Sequence, residues 1–480
     1  MWLIERRGSR VVISRRHAPK LFAALAAVAV GLSVLPAGPA SAEPAPNDPV
    51  IQPALPFPVP PLPPGFDPAF YRPAPETYTD LTPGRIIAAR QVNLANLSLI
   101  PVNVDAWQLS YRSTNSRGEP IPAVATVIKP RGHVADRPLF SYQIAEDSTG
   151  NYCMPSYQLQ MGSIPATLTG STLVAAQFLE VQAALAQGWA VVVPDHQGPD
   201  SAYAAGPLAG RITLDGIRAA ENFAPMQLSG TATRVGMMGY SGGAIATGWA
   251  AELKRSYAPE LRVVGTAEGG IPADLSAALR MANGNLSAGL IFAGALGVSR
   301  EYPELRKFLD ENANGLGKLM IAGKEQLCAS YQAALFPFAN NLGMLAKNPF
   351  TDPAVVDVLN KTKLGQAVPD MPMLMYQANA DWLIPVGPVD ELVATYAQDP
   401  GARVEYIRDH FSEHLTLDPI GAPRAMLWLK DRFAGIPVAE GVTVTDVGSM
   451  TLDPATWQVW GETAGAVLAA AFQQPIGSGR

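Results

Sequence analysis

Six short apolar runs, each closing on a polar or glycine-rich loop, constrain this 480-residue chain more than any other feature. They read "RPLFSYQIAEDS", "WAVVVPDHQGP", "TRVGMMGYSGG", "LRVVGTAEGG", "MPMLMYQANADWLIP" and "RVEYIRDHFSEH", and helical stretches such as "VAAQFLEVQAALAQG", "TLDGIRAAENF" and "AIATGWAAELKR" lie between most of them. Near-continuous apolar strands alternating with helices predict an α/β fold, a mostly parallel central sheet with helices on both faces. Upstream, "VDAWQLSYRST" and "EPIPAVATVIKP" flank "NSRG" as a β-hairpin that opens the sheet. Functional groups in such a sheet gather in loops at the carboxyl ends of the strands.

The alternation stops once, over residues 272–367, where the text is helical in period and rich in Leu, Phe, Met and Ala. This predicts a helical lid or cap inserted between two parts of a core, 75–271 and 368–435. Its apolar side chains form either its own small core or the wall of an acyl pocket. Residues 436–480 read as a C-terminal flap or tail. Residues 43–74 are a leader whose opening, "EPAPNDPVIQPALPFPVPPLPPG", is too proline-rich for helix or sheet and reads as an extended polyproline II spacer.

At the start, Arg6, Arg7, Arg10, Arg15, Arg16 and Lys20 precede "LFAALAAVAVGLSVLP" and then "AGPASA". This is the layout of a secretory signal peptide spanning residues 1–42, cleaved after Ala42, and it predicts export with no integral membrane span in the mature chain. The chain carries a net charge of −6, and loss of the basic leader makes the remainder more acidic still. An acidic exported protein is a poor partner for nucleic acid. Its two cysteines, Cys153 and Cys328, lie where a disulfide can persist, and without a neighbouring histidine they make no metal site.

Within "VGMMGYSGGAIATGWA", Gly239-Tyr240-Ser241-Gly242-Gly243 joins a strand-like run to a helix-like one. Gly-x-Ser-x-Gly in that context resembles the nucleophile elbow of the α/β-hydrolases, in which a strained serine stands above the sheet. A serine hydroxyl is a weak nucleophile, so it needs a histidine to take its proton and an acid to fix the imidazole tautomer. His17 leaves with the signal peptide, His133 precedes the first deep strand, and His196 reads as a loop histidine beside the pocket. Asp381 follows one late strand, and His410 and His414 follow the next. His414, further out and just ahead of a helix, is the better placed base. The His-x-x-x-His spacing also suits zinc, but no third ligand stands nearby, so neither metal nor cofactor is expected. The oxyanion of an acyl-transfer intermediate needs two donors. One is the N–H of Gly242. The other is expected from "SYQIAEDSTGNYCMPSY", where Asp147 would give either its backbone N–H or a protonated side chain.

Taken together, "SYQIAEDSTGNYCMPSY", "VVVPDHQGP", "GYSGGA", "QANADWLIP" and "SEHLTL" resemble the secretory lipases, over about residues 75–435. The resemblance implies Ser241 as nucleophile, Asp381 as acid, His414 as base, Gly242 and Asp147 at the oxyanion, a Cys153–Cys328 pair, a lid ahead of the triad acid, and hydrolysis of long-chain fatty esters; the expected partner is a lipid or ester substrate, a lipid–water interface being one place to meet it. The same acyl-enzyme could instead pass its acyl group to an alcohol of an envelope lipid, or the fold could persist as a lipid-binding protein without chemistry.

Overall fold

A continuous eleven-stranded sheet runs through residues 49–477, the part of the chain that this computed structural model describes. The signal peptide and cleavage site expected at residues 1–42 lie outside the described residues. The strands are β1 (Ile51–Gln52), β2 (Ile86–Gln91), β5 (Asp105–Thr114), β6 (Pro120–Lys129), β7 (Leu139–Gln143), β8 (Ala190–Pro194), β9 (Val235–Tyr240), β10 (Val263–Gly269), β11 (Met373–Ala378), β12 (Arg403–Asp409) and β13 (Gly441–Val447). Between β2 and β5 lies a small separate hairpin, β3 (Ala95–Asn96) with β4 (Ile100–Pro101).

In space the order is β1-β2-β5-β6-β8-β7-β9-β10-β11-β12-β13. The hairpin β5–β6 pairs antiparallel from Asp105↔Lys129 to Thr114↔Pro120, and β2 and β8 flank it antiparallel. From β8 to β13 every pairing is parallel. The parallel strands β7, β8, β9 and β11 are buried at every position, which is why their sequences run apolar without alternation. The chain leaves β7 for β8 on one side and returns to β9 on the other. That reversal opens a crevice at the carboxyl ends of β7 and β9, where an open α/β sheet binds its ligands.

Helices cover both faces. Leu208 and Ile212 of the helix Gly206–Glu221 pack with Ala244 and Trp249 of Gly242–Tyr257 on one side. Phe178 of Thr172–Ala186, Leu417 and Leu429 of His414–Phe433 and Val459 of Ala455–Ala471 pack on the other. Each fully buried Leu, Ile or Phe side chain among these contributes about 1.5–3 kcal/mol relative to exposure.

Between β10 and β11 the chain forms the helices Leu275–Ala282, Ala288–Glu301, Pro303–Asn312, Gly315–Lys324, Ala329–Ala334 and Pro353–Lys361. Asp274 and Asp352 start the first and last of these by accepting two backbone N–H groups each. Phe292, Leu305 and Phe308 join the main core and also line the central cavity, so the two roles open to these residues are filled together.

Two segments differ from the reading of the sequence. Within the proline-rich leader, Ile51 and Gln52 pair parallel with Ala89 and Arg90, adding an edge strand where no sheet was expected. Proline is excluded from central strands but tolerated beside an edge, and these two residues keep the N–H groups that pairing needs. The segment read as a flap or tail supplies β13, in parallel register with β12 from Arg403↔Gly441 to Asp409↔Val447, and the helix Ala455–Ala471. Its strand is an edge with mostly solvated side chains, so it carries little apolar signal.

Candidate active site

Ser241 sits at the junction of β9 and the helix Gly242–Tyr257 with φ +52° and ψ −117°, a conformation costly for any residue but glycine. The glycines after it are required by close approach. A Cβ on Gly242 would lie 1.7 Å from Asp147 Oδ1, and one on Gly243 would lie 2.0 Å from the Gln143 carbonyl at the end of β7. The helix can therefore begin directly against the neighbouring strand, holding the serine hydroxyl above the sheet.

His414 reaches that hydroxyl from beyond β12, three strands away. Its Nε2 is 2.8 Å from Ser241 Oγ, and its Nδ1 is 2.7 Å from Asp381 Oδ2. The imidazole is the first residue of its helix, whose start is set by Glu413. That carboxylate accepts the N–H groups of Leu415 and Thr416 and is gripped by Trp382 Nε1 at 2.6 Å. Asp381 is saturated as an acceptor, taking Leu383 N–H and Ile384 N–H on one oxygen and Gln377 Nε2 together with the imidazole on the other. An acid so bound keeps the proton on Nδ1 and leaves Nε2 free to accept from serine.

His410 is elsewhere, half-exposed, with Nε2 2.7 Å from Asp446 of β13 and with Asn379 against its ring. His196 is fully buried behind the crevice, its Nε2 2.7 Å from the Ile144 carbonyl and 3.7 Å from Glu146, and burial depresses it to about 4. It underpins the loop after β7 and does not line the cavity above Ser241.

Asp147, in that loop, is buried, has φ +43°, and turns Oδ1 toward Gly242. Its backbone N–H is taken. With the Gln197 amide oriented so that its oxygen accepts, that N–H donates at 3.1 Å while the amide nitrogen donates to the Ser148 carbonyl at 2.6 Å. Oδ1 has no hydrogen-bond partner, and burial pushes the carboxyl up to about 7 against the opposing pull of His414. Of the two groups the sequence left open, the backbone N–H is engaged and the carboxyl is the one whose Oδ1 faces Gly242.

The loop is stapled to the helical insertion. Cys153 is bonded to Cys328, Thr149 N–H donates to the Leu327 carbonyl, and Gln332 Nε2 donates to Thr149 Oγ1 at 2.6 Å. Above Ser241 lies an apolar cavity lined by Tyr203, Ile245, Leu275, Phe292, Phe308 and Leu383. Tyr203 and Gln377 carry no motif and were missed; Tyr203 lies in the loop after β8 and Gln377 near the end of β11.

A serine held in a strained elbow, an imidazole and a buried carboxylate in line at the carboxyl edge of a doubly wound sheet define an α/β-hydrolase. The chain belongs to the secretory lipase family, whose sequence profile matches residues 163–441. It is 34% identical to lipase A of Arthroderma benhamiae over 87% of this chain and 90% of that one. It is 41% identical to a probable inactive lipase of Mycobacterium tuberculosis over 79% and 84% respectively. Its fold superposes on the X-ray structure of Candida antarctica lipase A with a TM-score of 0.76 at 29% identity, covering 86% of this chain and 98% of that structure.

Proposed function

We propose that this chain is an exported serine carboxylester hydrolase that cleaves fatty-acid esters, acylglycerols among them, through an acyl-enzyme on Ser241. The observation that carries the reading is the unbroken line Ser241 Oγ–His414 Nε2 and His414 Nδ1–Asp381 Oδ2, at 2.8 and 2.7 Å. In this mechanism Oγ attacks the ester carbonyl as its proton passes to Nε2. The oxyanion takes hydrogen bonds from Gly242 N–H and the Asp147 carboxyl. Collapse expels the alcohol, which receives the proton from His414, and a water activated by the same imidazole then releases the fatty acid.

Three things support the ester class. The cavity over Ser241 is apolar, which suits an acyl chain. Phe411 and Leu415, close to His414 in sequence, and Leu286 and Phe338 in the insertion present exposed apolar side chains that suit a lipid–water interface. A relative 35% identical over 76% of this chain, from Malassezia globosa, is named a secreted triacylglycerol lipase. That name also supports export, as does the leader. No described helix is long and apolar enough to cross a membrane.

The test is a chain-length series of p-nitrophenyl esters with fluorophosphonate labelling of the purified mature protein. Ser241→Ala is expected to fold normally and to lose both labelling and hydrolysis. Hydrolysis within tenfold of the wild-type rate would overturn the assignment.

A further inference from the structure

Ser241 and Asp381 follow β9 and β11, strands that do not touch, because β10 lies between them. One side chain ties the two residues together across that strand. Gln377, next to last in β11, is fully buried. Its Oε1 accepts the N–H of Ile271, just past the end of β10, at 2.9 Å. The same end of β10 holds the nucleophile, because Ser241 N–H donates to the Gly269 carbonyl at 2.9 Å. A backbone N–H can only donate, so the Gln377 amide keeps its oxygen on Ile271 and turns its nitrogen the other way. There Nε2 donates to Asp381 Oδ2 at 2.9 Å and to the Ile384 carbonyl at 3.3 Å.

The two oxygens of Asp381 are held differently. Oδ1 accepts Leu383 N–H at 2.9 Å and Ile384 N–H at 2.7 Å, both from its own loop. Oδ2, which takes the imidazole at 2.7 Å, is tied to the sheet through the Gln377 amide. We propose that Gln377 is a positioning residue of the triad: by donating to Asp381 Oδ2 it fixes that oxygen opposite His414 Nδ1, on the same end of β10 that fixes Ser241. This rests on the reading of Ser241, Asp381 and His414 as a working triad. Without the amide a buried lone pair loses its donor, and the carboxylate regains freedom about its broad terminal torsion. The imidazole then loses its fixed orientation toward the serine, since the acid is what holds the ring. Gln377 does not border the cavity above Ser241, so substrate binding does not depend on it.

Two substitutions separate donation from packing. Methionine fills similar space and offers neither donor nor acceptor. A neutral glutamic acid reproduces the glutamine, with a carbonyl oxygen for Ile271 N–H and an O–H for Asp381, whereas the ionised form sets a second carboxylate against Asp381 and has no donor. The other ionisable groups around the imidazole are Tyr240, whose ring lies 5.4 Å away, Asp147 beside Gly242, Glu413 just ahead of His414 and Asp418 one turn along its helix. They are common to wild type and variants, so a ratio taken at each pH isolates residue 377.

The experiment measures kcat and KM against pH on a short p-nitrophenyl ester, with fluorophosphonate labelling, for wild type, Gln377→Met and Gln377→Glu, all below the Tm of each protein. Gln377→Met is expected to lower kcat by about 10- to 100-fold at every pH, to keep KM within about twofold, and to slow labelling in parallel. Gln377→Glu is expected to approach the wild-type kcat at the acid end and to fall toward Gln377→Met as the pH rises and the new carboxyl ionises. A kcat for Gln377→Met within about twofold of wild type overturns the assignment, and so does a Gln377→Glu ratio that stays flat with pH. If Gln377→Met does not fold, the Gln377→Glu ratio decides by itself. A wild type that neither hydrolyses the ester nor takes the label overturns the triad reading, and the role of Gln377 with it.

Discussion

Two histidines four residues apart meet opposite fates because of what each backbone position faces. His410 continues β12 outward to Asp446 on the neighbouring strand, while Glu413 starts a helix at His414 and turns its ring inward to Ser241. His414→Ala is therefore expected to lower kcat by about 10⁴-fold or more, nearly as far as Ser241→Ala, since triad members act as a unit. His410→Ala removes only a solvated contact and should stay within about tenfold of wild type. The reverse ranking in steady-state kinetics would move the base to His410. The meeting of Ser241, Asp381 and His414 was expected from their order and their places after strands, and the fold brings the three within hydrogen-bonding distance. The part of Gln377, which donates to the Asp381 carboxylate, was not expected, because it sits in a buried strand and no motif marks it.

At the scale of elements, the insertion is a support as well as a cover. The Cys153–Cys328 bond, spanning 175 residues of sequence, fastens the Asp147 loop to the helices Gly315–Lys324 and Ala329–Ala334, and the Thr149 and Gln332 contacts lie beside it. Cys153→Ser with Cys328→Ser is expected to cost about 2–4 kcal/mol in urea unfolding and to lower kcat more than it raises KM. An unchanged unfolding midpoint would mean that hydrogen bonds alone hold the loop. The helical character of this segment was plain in its period, but its attachment to the Asp147 loop depends on contacts across half the chain.

The molecule as a whole buries an unusual set of acids. Burial pushes Asp147 and Asp195 to about 7, Glu221 and Glu268 to about 8, and Asp418 to about 6. Each folded value exceeds the unfolded one, near ~4, so each contributes stability that is complete below that pH and is lost as the pH rises through the folded value. His196, depressed to about 4, acts the other way, losing its contribution as the pH falls from about 6.5 toward 4. The stability maximum should lie on the acid side of neutrality. Thermal unfolding is expected to give a higher Tm at pH 5.5 than at pH 8.5, and the opposite order would mean that these carboxyls are ionised in the folded protein.

Strand-and-helix alternation, the elbow glycines and the order serine, acid, histidine were set by the sequence alone, because each is a local matter of side-chain period, backbone sterics or chain direction. The edge strands β1 and β13 were decided by pairing with distant neighbours, since two to seven residues with solvated side chains carry no pattern of their own. The raised titration of the Asp147 carboxyl was decided the same way. It comes from burial, which outweighs the opposing pull of His414, and desolvation is a sum over neighbours that only the folded chain brings together.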